Sequence, residues 1–100
     1  MIINVKEITG PYCGQYDEGE LLYNVVCPLL LEKQSIVLDF SGVALLSSSF
    51  LNAAISKLFH KFGADFLISH LFITGMKKVD RFVLNRMIKE AKEIRDYQPI

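Results

Sequence analysis

Apolar and polar positions along the chain alternate between two periods. MIINVKEI, at the N-terminus, alternates loosely and is rich in Ile and Val, which predicts a first strand. Thr9 to Gly19 carries Gly10, Pro11, Gly14 and Gly19, a loop composition. It is long for a connection, so it is expected to cover something or to pair as a short hairpin. In GELLYNVVCPLLLEK, Leu21, Leu22, Val25, Val26, Leu29 and Leu30 recur three and four apart, which predicts a helix. Pro28 lies inside that pattern, and its missing donor predicts a kink or two short helices. Ser35 to Val43 is a mostly apolar run closed by Gly42 and Val43, suited to a central strand covered on both faces.

Leu51, Ala54, Ile55, Leu58 and Phe62 then form one helical stripe, with Lys57 and Lys61 off it and Gly63 as the residue that ends the helix. A helical turn is predicted over Asp65 to Ser69, a strand over Leu71 to Thr74, and a break at Gly75. From Lys77 to Tyr97 the pattern is a long amphipathic helix, with Val83, Met87, Ala91 and Ile94 on one side. Arg86 with Glu90 and Lys89 with Glu93 are spaced for ion pairs, and Asp80 is placed to cap a helix starting at Arg81. The tail YQPI is expected to fray. Strand, helix, strand, helix, strand, helix predicts an α/β domain with a mostly parallel or mixed sheet of three to five strands and helices packed against it, a single unit over residues 1–100.

The chemistry concentrates at one join. VLDFSGVALLSSSFLNA places Ser47, Ser48 and Ser49 between the second predicted strand and its helix. A helix N-terminus exposes free N–H groups and the positive end of the dipole, and a serine caps it well. One cap needs one serine, so a spare hydroxyl is a candidate phosphoacceptor or anion contact. Asp39 and Ser41 share a strand face near its C-terminal edge, where ligands of open α/β sheets bind; equally, Asp39 could simply bond loop N–H groups with Ser41 and Gly42 forming the turn. His60 and His70 have no acidic or thiol neighbour at a recognisable spacing, and no metal-ligand, phosphate-loop or nucleophile-elbow motif is present. The expectation is therefore no enzyme, no metal and no cofactor.

Composition narrows the classes. With 51% hydrophobic residues and a mean hydropathy of +0.30, so small a domain is expected to leave apolar surface exposed, which favours a protein partner or a homodimer. The formal net charge of +0 gives no bulk attraction to nucleic acid or to an anionic membrane. No apolar run is long enough to span a bilayer, and MIINVKEITG lacks the basic and apolar regions of a signal peptide. Cys13 and Cys27 lack CxxC spacing and are expected as reduced thiols in a cytoplasmic protein.

IVLDFSGVALLSSSFLNAA, Ile36 to Ala54, resembles the STAS domain of anti-sigma factor antagonists, and more closely the STAS-like family of unknown function (DUF4325). Antagonists show hydrophobic-Asp-hydrophobic-Ser-Gly-Val at a strand end, then Asp-Ser-Ser-Gly-Leu opening a helix. VLDFSGV matches the first part, and LSSSFL stands where the second belongs. The STAS-like family has LDF-x-GV, a Ser/Thr-rich stretch and then Phe, as here at Phe50; Gly19, Leu21, Leu22, Pro28, Leu29 and Leu30 are similar to its first helix. The resemblance is best over residues 35–63.

What the resemblance implies is a regulatory interaction module. In the antagonists the second serine of the motif accepts phosphate from an ATP-binding serine kinase of the histidine-kinase type, which is also the anti-sigma factor. That serine matches Ser49, and its neighbour matches Ser48. Ser47 replaces the motif's Asp and Phe50 its Gly, so a carboxylate is lost and an aromatic ring either crowds the kinase or contacts it. The expected partner face is Asp39, Ser41, Gly42, Ser47, Phe50 and Asn52 around Ser48 and Ser49. From Phe40 to Ser56 there is no charge, so a phosphate would change the local field greatly. A nucleotide- or anion-binding sensor and a purely structural or oligomeric component stand as the alternatives.

Overall fold

The computed structural model describes residues 1–96, with side chains described to Glu90. Three short parallel strands make the sheet: β1 (Ile2–Asn4), β3 (Ile36–Asp39) and β5 (Leu71–Thr74), in the order β1-β3-β5. A second, two-stranded parallel sheet pairs β2 (Tyr12–Cys13) with β4 (Leu45–Leu46). The helices are α1 (Val5–Thr9), α2 (Tyr16–Leu31), α3 (Ser48–Leu51), α4 (Lys57–Phe62), α5 (Ala64–His70) and α6 (Lys78–Asp96). A π-helical segment, Asn52–Ser56, joins α3 to α4. The fold is α/β, as the alternation of elements predicts.

Five local expectations are corrected. The first strand is only three residues long, because Asn4 stops it: its Oδ1 accepts the Glu7 N–H at 3.2 Å and starts α1. The Thr9–Gly19 loop holds β2, and this strand pairs in parallel with distant Leu45–Leu46 in place of a local hairpin. Helix α2 starts at Tyr16, ahead of the apolar pattern, because the Gln15 N–H donates to Glu18 Oε1 at 3.1 Å. It then runs through Pro28 as one element in place of two short helices. Helix α6 begins at Lys78, so Asp80 sits in its first turn, where its charge favours the dipole, and does not cap it.

Gly63 ends α4 with φ 86°, and its N–H donates to the Phe59 carbonyl at 2.9 Å. Arg86 pairs with Glu90 at 3.4 Å. The Glu93 partner of Lys89, the helix positions Ala91 and Ile94, and the YQPI tail fall outside the described residues or side chains.

The core lies between the sheet and α2, α3, the π-helical segment and α4. Ile3, Leu38 and Ile73 form one cross-strand row on the inner face, with Ile36 and Leu38 fully buried. Below them pack Leu22, Val26, Leu30, Phe50, Leu51, Ile55 and Leu58. On the other face the row is Ile2, Val37 and Phe72; Ile2 is 73% and Phe72 48% exposed. So β3 is central, but only its inner face is well covered.

Gly19 brings α2 against the start of the next helical run. A Cβ there would collide with the Phe50 carbonyl oxygen and lie 2.7 Å from Ala53 Cβ. That contact fixes the depth at which the serine segment is seated.

Candidate functional site

The three serines have different environments. Ser47 is the N-cap: its Oγ accepts the Phe50 N–H at 3.1 Å and donates to the Gly14 carbonyl at 2.9 Å. Its backbone N–H donates to the Cys13 carbonyl, so β2 and the helix start are tied together through this residue. Ser48 and Ser49 follow in the first helical turn, and both are exposed. Neither hydroxyl has a hydrogen-bond partner among the described residues. The segment thus uses one hydroxyl for capping and presents two.

Phe50 leaves the expected partner face. It is 0% exposed, packed in the core beneath α2, so it neither crowds an incoming enzyme nor contacts a partner. Its burial follows from the turn set by Ser47, which directs residues 50 and 51 inward together. Asn52 is exposed; its Oδ1 accepts the Ser56 hydroxyl at 3.2 Å.

A groove of about 360 Å³ runs between this helix start and α6. Ser48 and Asn52 line one wall, and Phe82, Arg86, Met87 and Glu90 line the other. The charge that the serine segment lacks is therefore supplied by another element. Phe82 is 71% exposed, the most outward of the large apolar side chains at this site. Sequence reading missed this wall; the available signal was Phe82 itself, an aromatic outside the apolar stripe and one turn from Arg86.

Asp39 ends β3 in the row Asn4, Asp39 and Thr74, and Ser41 and Gly42 follow it in the turn. They do not line the serine groove. The Ser41 N–H donates to Asp39 Oδ1 at 2.9 Å, and the Ser41 hydroxyl and N–H together hold the Asp39 carboxyl below the usual carboxylate range. Gly75, with φ 72°, packs against the same pair; a Cβ there would meet the Ser41 hydroxyl and stand 2.6 Å from Asp39 Oδ1. Lys77 Nζ donates to the Ala44 carbonyl at 3.2 Å nearby. The three described strands of the sheet run in the order β1-β3-β5 without reversal. Through the bond from the Ser41 N–H, Asp39 and Ser41 close a turn.

Among the described residues no three His, Cys, Asp or Glu side chains group as metal ligands. Cys13 is fully buried with Sγ 3.2 Å from Thr9 Oγ1, and burial pushes its thiol up. Both cysteines are free thiols. No helix among the described residues is long and apolar enough to cross a membrane.

The model of a STAS-like domain of unknown function (DUF4325) matches residues 18–81, from the first turn of α2 through β5 to the start of α6. The chain belongs to this STAS-like family. No curated protein and no solved structure matches it. The match takes in both the serine segment and the Asp39 turn of the STAS-like domain, and the described α6 residues of the groove wall all lie beyond it.

Proposed function

We propose that this STAS-like domain is a non-enzymatic, cytoplasmic regulatory module that docks a protein partner on the face around Ser48 and Ser49. Phosphorylation of one of these serines switches the contact. The observation that carries the reading is the separation of roles: Ser47 caps the helix, leaving Ser48 and Ser49 exposed and unbonded. The partner is an ATPase of the histidine-kinase type acting as a serine kinase. In the step, the γ-phosphoryl group of ATP passes to serine Oγ, the hydroxyl proton leaves and ADP is released.

A phosphate on Ser48 enters the groove that contains Arg86, and competes with Glu90 for its guanidinium. A phosphate on Ser49 adds about 1.5–2 negative charges to a surface segment with none. Either change alters what a neutral docking face can hold.

The test is recovery of the protein from its native host with intact-mass analysis, alongside Ser48→Ala, Ser49→Ala and Ser49→Asp. The expected result is a phosphate adduct abolished by one alanine variant, and an ATPase partner released by Ser49→Asp. An unmodified protein whose partners ignore all three substitutions would overturn the switch.

A further inference from the structure

A second surface lies at the open edge of the sheet, away from the serines. Strand β5 is an edge strand. In the parallel ladder, Phe72 and Thr74 turn their backbone groups toward β3, as the Phe40 N–H to Thr74 carbonyl bond at 2.9 Å requires. Leu71 and Ile73 therefore turn theirs to the open side. Two of these four groups are occupied: the Leu71 N–H bonds to the Leu67 carbonyl, and the Ile73 carbonyl accepts from Arg81 at 2.7 Å. The Leu71 carbonyl and the Ile73 N–H have no partner among the described residues. One residue of an added parallel strand, set beside Phe72, satisfies both.

Along that edge lies an apolar trench of about 450 Å³ between β5 and α6. Its floor includes Phe59, Leu67, Leu84 and Ile88, and Ile68 and Phe72 stand exposed at its rim. Among the described residues Arg81 is the only charged one lining it, and none of them is its acidic partner. Because Arg81 already holds the Ile73 carbonyl, strand addition stops there. In a parallel strand that stop coincides with the carboxyl end of the incoming chain.

We infer that the β5–α6 trench binds the extended, apolar carboxyl-terminal segment of a partner protein by strand addition, with the terminal carboxylate on Arg81. Charge decides against a second copy of this chain: pairing β5 with β5 across a two-fold axis brings two Arg81 guanidinium groups to one seam. A fatty acid meets the apolar floor and Arg81 but leaves the Leu71 and Ile73 backbone groups unpaired.

The experiment selects a random heptapeptide library, displayed with free carboxyl termini, on the full chain. A recovered peptide is then titrated as the free acid and as its C-terminal amide by fluorescence anisotropy. The Ile73 amide is followed by NMR hydrogen exchange. The expected result is enrichment of apolar residues, binding at least tenfold weaker for the amide, and slowed exchange at Ile73. Arg81→Gln should remove the difference between acid and amide, Arg81→Lys should keep most of it, and Asn85→Asp should weaken the acid selectively. The folding of each variant is verified by its Tm. No enrichment would overturn the inference, as would binders that ignore Arg81 or leave Ile73 exchange unchanged. Decanoate binding that displaces the peptide while Ile73 stays unprotected in both complexes would reassign the trench to a lipid.

Discussion

Ser47, Ser48 and Ser49 are consecutive and chemically identical, yet only the first is tied into the fold. Ser47→Ala removes both the Phe50 cap and the bond to Gly14, and should cost about 1–2 kcal/mol in a urea titration. Ser48→Ala and Ser49→Ala should stay within about 0.5 kcal/mol of wild type, since neither hydroxyl is bonded. Asp39 offers a test with a defined sign. Its folded-state pKa is lowered by Ser41, so its contribution to stability is present above the ordinary carboxylate pKa and is lost as pH falls through the folded value. Ser41→Ala should raise the Asp39 carboxyl pKa, read by NMR, and flatten the acid side of the stability profile. Which serine caps was not legible in the sequence, because the choice depends on Cys13 and Gly14, more than thirty residues away. That one of them caps was legible.

Features signalled by local residues are read correctly from sequence, and irregularities set by tertiary contacts are not. The bounds of β5 and the helix-ending role of Gly63 agree with expectation because each is locally signalled. The π-helical segment was not foreseen: an apolar stripe at Leu51, Ala54, Ile55 and Leu58 cannot report an extra residue in the turn. With it, Phe50, Ala53 and Phe59 join the buried set while Phe62 is only partly covered. Pro28 is an instructive exception. It lies in the last turn of α2, so only the Asn24 carbonyl loses its helical partner, and the helix continues to Leu31. Pro28 is exposed, and Pro28→Ala should therefore raise the thermal midpoint, by about 1–2 kcal/mol of stability after the unfolded-state offset. Gly19→Ala should act the other way: collision with Phe50 and Ala53 outweighs the gain in helix propensity, for a loss of about 1–3 kcal/mol by denaturant titration.

At the scale of the whole molecule, the sheet is covered on one side and open on the other, and Ile2, Val37 and Phe72 form an apolar row across all three strands. Composition signals this excess of apolar surface, but its location follows from strand register, which the sequence leaves open. Ile2→Lys combined with Phe72→Lys should lower concentration-dependent association, measured by sedimentation, while moving the thermal midpoint little. The π-helical segment has its own consequence at this scale. Helix α4 is anchored through Leu58 and Phe59, while the serines ride on the other side of the irregular turn. Removing one residue from Asn52–Ser56 restores an ordinary α-helix and rotates that end by about 100° against α6. The same rotation would swing Phe50 and Leu51 out of the core, so the extra residue is what lets one helical run bury both of its ends while Ser48 and Ser49 stay outward.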